Sequence, residues 1–229
     1  MKNLKPANRH ISVAMPAWHS RGYLPYFDTP KTTQHVTFHL ADSLPQTTLQ
    51  RLESAIKALP KTKRDVERRK LLDAYVDAGH GCCVLHQPPV AAMAQGSLMT
   101  FDAKRYRLLA WVVMPNHVHV LFQPIGAWAV EKIVASWKKF TARGICDALR
   151  AGGELASTPV WHREYWDRYI RDDSHLARAV GYIHQNPVKA GLCSAPGRWR
   201  WSSTFPGNAN LPIGGVGVSE ATRPRSISD

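Results

Sequence analysis

The stretch Tyr106-Arg-Leu-Leu-Ala-Trp-Val-Val-Met-Pro-Asn-His-Val-His-Val-Leu-Phe122 decides the fold, because it contains two strands and the turn that joins them. Residues 106–114 are almost continuously apolar, which is typical of a central strand. Pro115-Asn116 favours a tight turn, and residues 117–122 alternate like a second, half-buried strand. The stretch therefore predicts a β-hairpin at the centre of the chain.

The segments around this hairpin predict an α+β order. Strand patterns occur at 35–40 and within 160–171, and helical spacing occurs at 46–59, 63–78, 88–101, about 128–149 and about 172–186. We expect a ferredoxin-like antiparallel sheet (βαββαβ) with helices on one face and an added C-terminal helix. The predicted domain covers 34–205, between an irregular arm at 1–33 and a loosely held tail at 206–229. In the helix near 128–149, an apolar stripe that includes Trp137 and Phe140 should face the sheet.

The composition favours a polyanionic partner. The chain has 30 Lys and Arg against 17 Asp and Glu, and this excess attracts nucleic acid, although a surface charged for solubility is the alternative. The sequence shows neither a long apolar run nor a signal peptide, so we expect a cytoplasmic protein without a membrane partner. Four cysteines without CxxC spacing indicate reduced thiols.

Two histidines in the second strand of the hairpin form the first candidate site. His117 and His119 are two residues apart, so both rings face one side of the strand, while Val118 and Val120 face the other side. Two neighbouring imidazoles can bind one cation. From this spacing alone, a structural role for both histidines stays open.

The last predicted helix and the stretch before it supply further candidates. Tyr182 and Asn186 lie four residues apart, which places them together on one flank of the helix's buried stripe. Periodicity alone fits a packing role for both. In residues 161–171, arginines alternate with aromatic residues, a pattern that suits phosphates and unpaired bases. A core strand with charged edges is the alternative for that stretch.

These residues together resemble a known family. The stretch 112–121 resembles the HUH motif of the Y1 transposases of the IS200-like group. The stretches 165–171 and 182–192 resemble the REP-associated tyrosine transposases, as do the shorter pieces 22–25, 137–141 and 201–203. The resemblance spans roughly residues 22–203.

The resemblance implies a bacterial enzyme that cleaves single-stranded DNA at hairpin-forming, REP-like sequences and transfers the strand. Tyr182 would be the nucleophile that forms a 5′-phosphotyrosine, and His117 and His119 would bind Mg²⁺ or Mn²⁺. Asn186, four residues after the tyrosine, would complete the metal site. A monomer is favoured over a homodimer, and the residues expected to contact DNA are Arg163, Tyr165, Arg168, Arg171, Lys138 and Lys139.

Two other functional classes remain open from the sequence. One is a protein that binds folded nucleic acid without cutting it, and the other is a metal-dependent phosphodiesterase that uses water. Residues 46–105 form a longer connection than the predicted fold needs. The basic helix at 63–78 in this connection would either bind DNA or only pack against the sheet.

Overall fold

A short hairpin precedes the central sheet. The computed structural model describes residues 17–20, 25–28, 32–153 and 159–208. Strand β1 (Ala17–Ser20) pairs with β2 (Pro25–Asp28). The prediction of an irregular arm is therefore wrong for these eight residues, because they form an antiparallel ladder. The rest of the arm lies outside the described residues.

The central sheet has the predicted ferredoxin-like topology. Its strands are β3 (Gln34–His39), β4 (Tyr106–Val113), β5 (His117–Pro124) and β6 (Trp166–Tyr169). All four are antiparallel to their neighbours and lie in the order β4-β5-β3-β6, which is second, third, first, fourth along the chain. The predicted hairpin is β4–β5. The helices are α1 (Gln46–Lys57), α2 (Lys61–Asp77), α3 (Pro88–Met99), α4 (Val130–Ala151) and α5 (Asp173–Lys189).

Helices α3 and α4 cover one face of the sheet and form the main core with it. Val118 and Val120 of β5 point into this core, as their alternation with the histidines predicts. Trp137 of α4 is also buried there, whereas Phe140 is 63% exposed. The prediction for Phe140 is wrong because Thr141, one helical turn after Trp137, takes the inward position and accepts a hydrogen bond from a buried indole.

Helix α5 covers part of the opposite face. Ala179 and Ile183 of α5 pack against Ala110 and Leu121 of the β4–β5 hairpin. The helix begins after Asp172, whose carboxylate accepts a hydrogen bond from the backbone N–H of His175. It continues beyond Asn186, through Pro187, to Lys189. The site-bearing helix is thus held on the sheet by its own apolar stripe.

The segment after α5 lies along the free side of β4. Backbone hydrogen bonds join Val113 N to Trp201 O and Ser203 N to Trp111 O, at 2.8 and 3.0 Å. The Ser203 hydroxyl also contacts His184 of α5 at 2.8 Å. Farther on, residues 206–208 form a 3-10 turn, and the remainder of the predicted tail lies outside the described residues. This segment therefore connects α5 to the edge of the sheet.

In the part of the chain that the structure describes, no helix combines the length and apolar character needed to cross a membrane. The four cysteines are free thiols, as their spacing predicts.

Candidate metal centre

The two histidines of β5 lie on one face of the sheet, as predicted. Their Nε2 atoms are 3.0 Å apart, and each side chain is only 1% exposed. Both rings lie on the face opposite α3 and α4, as their alternation with Val118 and Val120 predicts. That opposite face is nevertheless enclosed, because side chains from α5 and from the end of α2 close over it.

Asn116 determines the orientation and tautomer of His117. The Asn116 Nδ2 donates to the carbonyls of Val76 and His80, both at 3.0 Å, so its Oδ1 faces His117 Nδ1 at 2.7 Å. That oxygen can only accept a hydrogen bond, which requires a proton on Nδ1. Burial lowers the pKa of His117 to about 4, despite the neighbouring Asp77 carboxylate. A neutral ring in this tautomer leaves a lone pair on Nε2.

His119 presents its Nε2 in a similar way. Its Nδ1 hydrogen-bonds to the Thr37 hydroxyl at 2.8 Å, which fixes the ring from the neighbouring strand β3. The Asn186 Nδ2 donates to Nε2 at 3.2 Å, so this nitrogen acts as an acceptor. Hydrogen bonds behind metal-binding imidazoles commonly fix their orientation in this way.

Helix α5 places Tyr182 and Asn186 together beside the histidines. The rings of Tyr182 and His119 meet edge to face with their centres 5.3 Å apart. Asn186 is 2% exposed, and its Oδ1 has no hydrogen-bond partner among the described residues. A buried amide oxygen without a partner is costly unless a ligand satisfies it. The Nδ2 of this amide faces His119, so rotation of the amide would bring its oxygen to the same side. Two imidazole nitrogens and an amide oxygen are donor types that fit a divalent cation.

Sequence reasoning missed Asp77, the last residue of α2. Its Oδ1 is 3.3 Å from His117 Nε2 and 3.6 Å from His119 Nε2. Its other oxygen accepts a hydrogen bond from the Tyr182 hydroxyl at 3.1 Å. Ligand atoms of Asp77, His117 and His119 all lie within 4.8 Å of one another. No spacing pattern in the sequence links this helix end to the histidines.

The surroundings of Tyr182 favour its protonated form in this structure. Burial raises the pKa of the Tyr182 hydroxyl above its ordinary value. The carboxylates of Asp73 and Asp77, one turn apart on α2, raise that pKa further. Helix α2 therefore shapes both the candidate metal site and the electrostatics of the tyrosine.

All three arginines predicted to contact DNA are exposed, namely Arg163, Arg168 and Arg171. Arg168 pairs in register with His35, so its side chain starts on the same sheet face as the candidate metal site. Arg168 and Arg171, together with Arg178 of α5, lower the pKa of His175 after the effect of burial. Arg178 was not predicted, and it extends this basic group onto the tyrosine-bearing helix.

The remaining predicted DNA contacts lie elsewhere. Lys139 is exposed on α4, on the sheet face opposite His117. Lys138 Nζ donates to the carbonyls of His162 and Arg163 at 2.7 and 3.1 Å, and burial lowers its pKa to about 8. Tyr165 is only 6% exposed within the main core, which favours a packing role over base stacking.

Comparison with known proteins shows that the part of the chain around this site is similar to one family. Residues 91–186 match the family described as "Transposase IS200 like". The matched residues 91–186 are called the IS200-like segment below, after this similarity. The segment contains His117, His119, Tyr182 and Asn186, whereas Asp77 lies before it.

Curated relatives of the IS200-like segment carry related names. The chain is 29% identical over 103 residues to a "Putative REP-associated tyrosine transposase" of Haemophilus influenzae, covering 43% of this chain and 58% of the relative. It is 28% identical over 104 residues to a "REP-associated tyrosine transposase" of Escherichia coli, covering 43% and 54%. The chain thus matches little more than half the length of these relatives.

One similar solved structure is a REP-associated tyrosine transposase bound to a REP hairpin. The match covers 91% of this chain and 100% of the other, with 23% identity and a TM-score of 0.44.

Proposed function

We propose that this protein cleaves single-stranded DNA beside hairpin-forming, REP-like sequences and rejoins the strand, with Tyr182 as the nucleophile. The observation that carries this proposal is the position of the tyrosine. Tyr182 lies beside His119 on the same helix flank as Asn186, and these residues all belong to the IS200-like segment. The names of the curated relatives support the same reaction class.

In this proposal, His117, His119 and Asn186 hold Mg²⁺ or Mn²⁺. The bound ion would polarise the scissile phosphate and neutralise charge as it develops. Asn116 and Thr37 fix the two imidazoles from behind, so their Nε2 lone pairs are directed before the ion arrives. The Asn186 oxygen, which has no partner among the described residues, would supply the remaining neutral donor.

Tyr182 carries the covalent step. Its phenolic oxygen loses a proton and attacks phosphorus, and the bond from phosphorus to the 3′-oxygen of the preceding nucleotide breaks. The products are a 5′-phosphotyrosine and a 3′-oxygen that takes up a proton. Because the phosphodiester energy is kept in the new ester, the 3′-hydroxyl can reverse the step without a nucleotide cofactor.

The substrate in this proposal is single-stranded near the cut and folded into a hairpin beside it. The excess of 13 basic residues favours binding to the DNA backbone. Arg168 and Arg171 are the first candidates for this contact. Both lie close enough to His175, at the start of α5, to lower its pKa. One chain supplies every proposed site residue, which supports a monomeric enzyme.

A covalent adduct on a denaturing gel tests the proposed function. Wild-type protein incubated with single-stranded genomic hairpins and Mn²⁺ should yield a protein–DNA adduct, and a chelator should abolish it. Tyr182→Phe removes one oxygen and should bind the hairpin without forming the adduct, whereas Tyr169→Phe is the matched control and should form it. His119→Ala should also lose the adduct.

The other outcomes identify the alternative functions. Free cleaved DNA without an adduct would indicate a phosphodiesterase that uses water. Hairpin binding without cleavage would indicate a non-cleaving nucleic-acid binder. An adduct that persists in Tyr182→Phe, with the linked peptide mapping to another tyrosine, would overturn the assignment of the nucleophile.

A further inference from the structure

The end of helix α2 adds a carboxylate to a site otherwise built from the IS200-like segment. We propose that Asp77 is a metal ligand, and that its second oxygen holds the Tyr182 hydroxyl beside the same ion. This inference rests on the proposed function, because it concerns the same metal site. It assigns a role in that site to the long connection between β3 and β4, which lies largely outside the matched residues.

The first support is a convergence of electron-rich atoms. His117 Nε2 carries a lone pair because its Nδ1 donates to Asn116, and His119 Nε2 accepts a hydrogen bond from Asn186. The two nitrogens are 3.0 Å apart, and Asp77 Oδ1 lies 3.3 and 3.6 Å from them. The Asn186 Nδ2 group offsets part of their repulsion, because it donates to His119 Nε2 at 3.2 Å and to Asp77 Oδ1 at 3.4 Å. A cation among the three atoms would offset the rest. A carboxylate oxygen is also a ligand that both Mg²⁺ and Mn²⁺ prefer.

The second support is that the end of α2 is fixed in place. Asn116 Nδ2 donates to the carbonyls of Val76 and His80, which flank Asp77 in sequence. The Val76 side chain is fully buried. Asn116 therefore orients His117 with its oxygen and holds the backbone around Asp77 with its nitrogen. One side chain thus sets the spacing between two proposed ligands.

Helix α1 holds α2 from the other side. Arg68 of α2 makes two hydrogen bonds to the Glu53 carboxylate of α1, at 2.8 and 2.9 Å. Ile56 of α1 and Leu72 of α2 are both buried in the described part of the chain. Paired charges in this two-pronged geometry fix orientation as well as distance. The helix pair is therefore a packed unit that can place one carboxylate accurately.

The two oxygens of Asp77 have different partners. Oδ1 faces the histidine nitrogens, whereas Oδ2 accepts the hydrogen bond from the Tyr182 hydroxyl at 3.1 Å. A carboxylate that binds the ion with one oxygen keeps the other oxygen for the nucleophile. Asp73, one turn earlier on α2, influences Tyr182 electrostatically but is absent from the cluster of three ligand residues. It provides a matched control.

Calorimetric titration with Mn²⁺ alone tests the assignment without measuring activity. The full chain would be prepared metal-free as wild type, Asp77→Asn, Asp73→Asn and His119→Ala. We expect Asp77→Asn to bind Mn²⁺ at least about tenfold more weakly than wild type, because it removes a charged ligand oxygen, and loss of even an outer-shell partner costs about 10–100-fold. Asp73→Asn should keep its affinity within about threefold, because it removes a nearby charge and no ligand.

Each outcome decides the inference separately from the proposed function. Wild-type Mn²⁺ affinity in Asp77→Asn, with binding lost in His119→Ala, would overturn the role of Asp77 and leave the histidine site intact. Absence of Mn²⁺ binding in the wild type would overturn the inference, while the adduct assay still decides the function. If Asp77→Asn does not fold, Asp77→Glu is compared with Asp73→Glu. Equal affinities in that pair would also overturn the assignment.

Discussion

His39 is a buried histidine at the end of β3, close to the candidate site but outside its proposed donor set. Its ring is stacked between His162 and Trp166, with ring centres 4.6 and 4.8 Å away. Its Nδ1 donates to the Leu40 carbonyl at 2.9 Å, and its side chain is fully buried. Burial lowers the pKa of His39 to about 3, so the ring is neutral across the physiological range.

This burial makes the stability of the fold depend on pH. The folded-state pKa of about 3 lies below the ordinary value of 6.5, so between these values the unfolded chain binds the proton more readily. The contribution of His39 is therefore complete above pH 6.5 and is lost as the pH falls towards 3. The slope reaches at most about 1.4 kcal/mol per pH unit.

We predict that His39→Gln reduces the loss of stability between pH 7 and pH 5 by about 1–2 kcal/mol relative to wild type. Urea unfolding monitored by circular dichroism at the two pH values measures this difference. His86→Gln, which alters an exposed histidine, is the control and should leave the pH dependence unchanged. Equal losses in wild type and His39→Gln would show that His39 is not the source.

At this scale, the sequence predicts residues that share one element better than residues that meet across elements. The shared face of His117 and His119 follows from the two-residue period of a strand. The shared flank of Tyr182 and Asn186 follows from the helical turn. Asp77 could not be found in this way, because its distance from His117 depends on how two separate elements pack. The burial of Tyr165 likewise depends on the tertiary fold.

Among the elements, the turn between β4 and β5 also connects the histidine strand to the end of α2. Its Asn116 accepts a hydrogen bond from His117 and donates to two carbonyls at the end of α2. The residue is 1% exposed, so loss of the amide would leave buried polar groups without partners. Buried groups of this kind cost about 1–3 kcal/mol each.

We therefore predict that Asn116→Ala lowers the unfolding free energy by about 2 kcal/mol or more and also weakens Mn²⁺ binding. Asn208→Ala is the matched control, because Asn208 is a buried amide that donates to the carbonyls of Arg200 and Ser202. That variant should lose comparable stability but keep its Mn²⁺ affinity. Thermal unfolding and calorimetric titration together separate the two effects, and equal Mn²⁺ affinity in both variants would contradict the prediction.

The sequence predicts the elements well where their hydrophobic period is strong. The sheet strands and the five helices occur close to their expected positions, because alternation and helical spacing reflect which face is buried. The short strands β1 and β2 were missed, since four-residue strands in a stretch rich in Pro and Gly carry little periodic signal. The role of α2 was left open for a related reason. Its basic residues are visible in the sequence, but the packing of its end is not.

At the scale of the molecule, exposed basic residues lie on both faces of the central sheet in the described part of the chain, and the two groups have different expected roles. Arg168 lies on β6 on the face of the candidate site, and Arg171 follows shortly after it. Lys139 and Arg143 are exposed on α4, which packs on the opposite face. Only charges near the bound strand should release counterions when DNA binds.

We predict that the double change Arg168→Gln and Arg171→Gln weakens hairpin binding. The slope of the logarithm of the binding constant against the logarithm of the salt concentration should become shallower by about 1–2. The matched double change Lys139→Gln and Arg143→Gln removes the same charge and should have a smaller effect. Fluorescence anisotropy with a labelled single-stranded hairpin over a series of salt concentrations measures both slopes. A larger effect from the α4 pair would place the DNA on the opposite face.

The contact between β4 and the segment from Trp199 to Ser203 has a consequence for solubility. An open border of a sheet offers unpaired amides and carbonyls to any other extended chain, which is a common route to aggregation. Here the backbones of Trp111 and Val113 are already hydrogen-bonded to those of Ser203 and Trp201. The Trp199 indole donates a further hydrogen bond to the carbonyl of Val113. The chain thus acts as its own partner along this border. A protein shortened before Trp199 would present an apolar, β-rich edge to its neighbours and would self-associate.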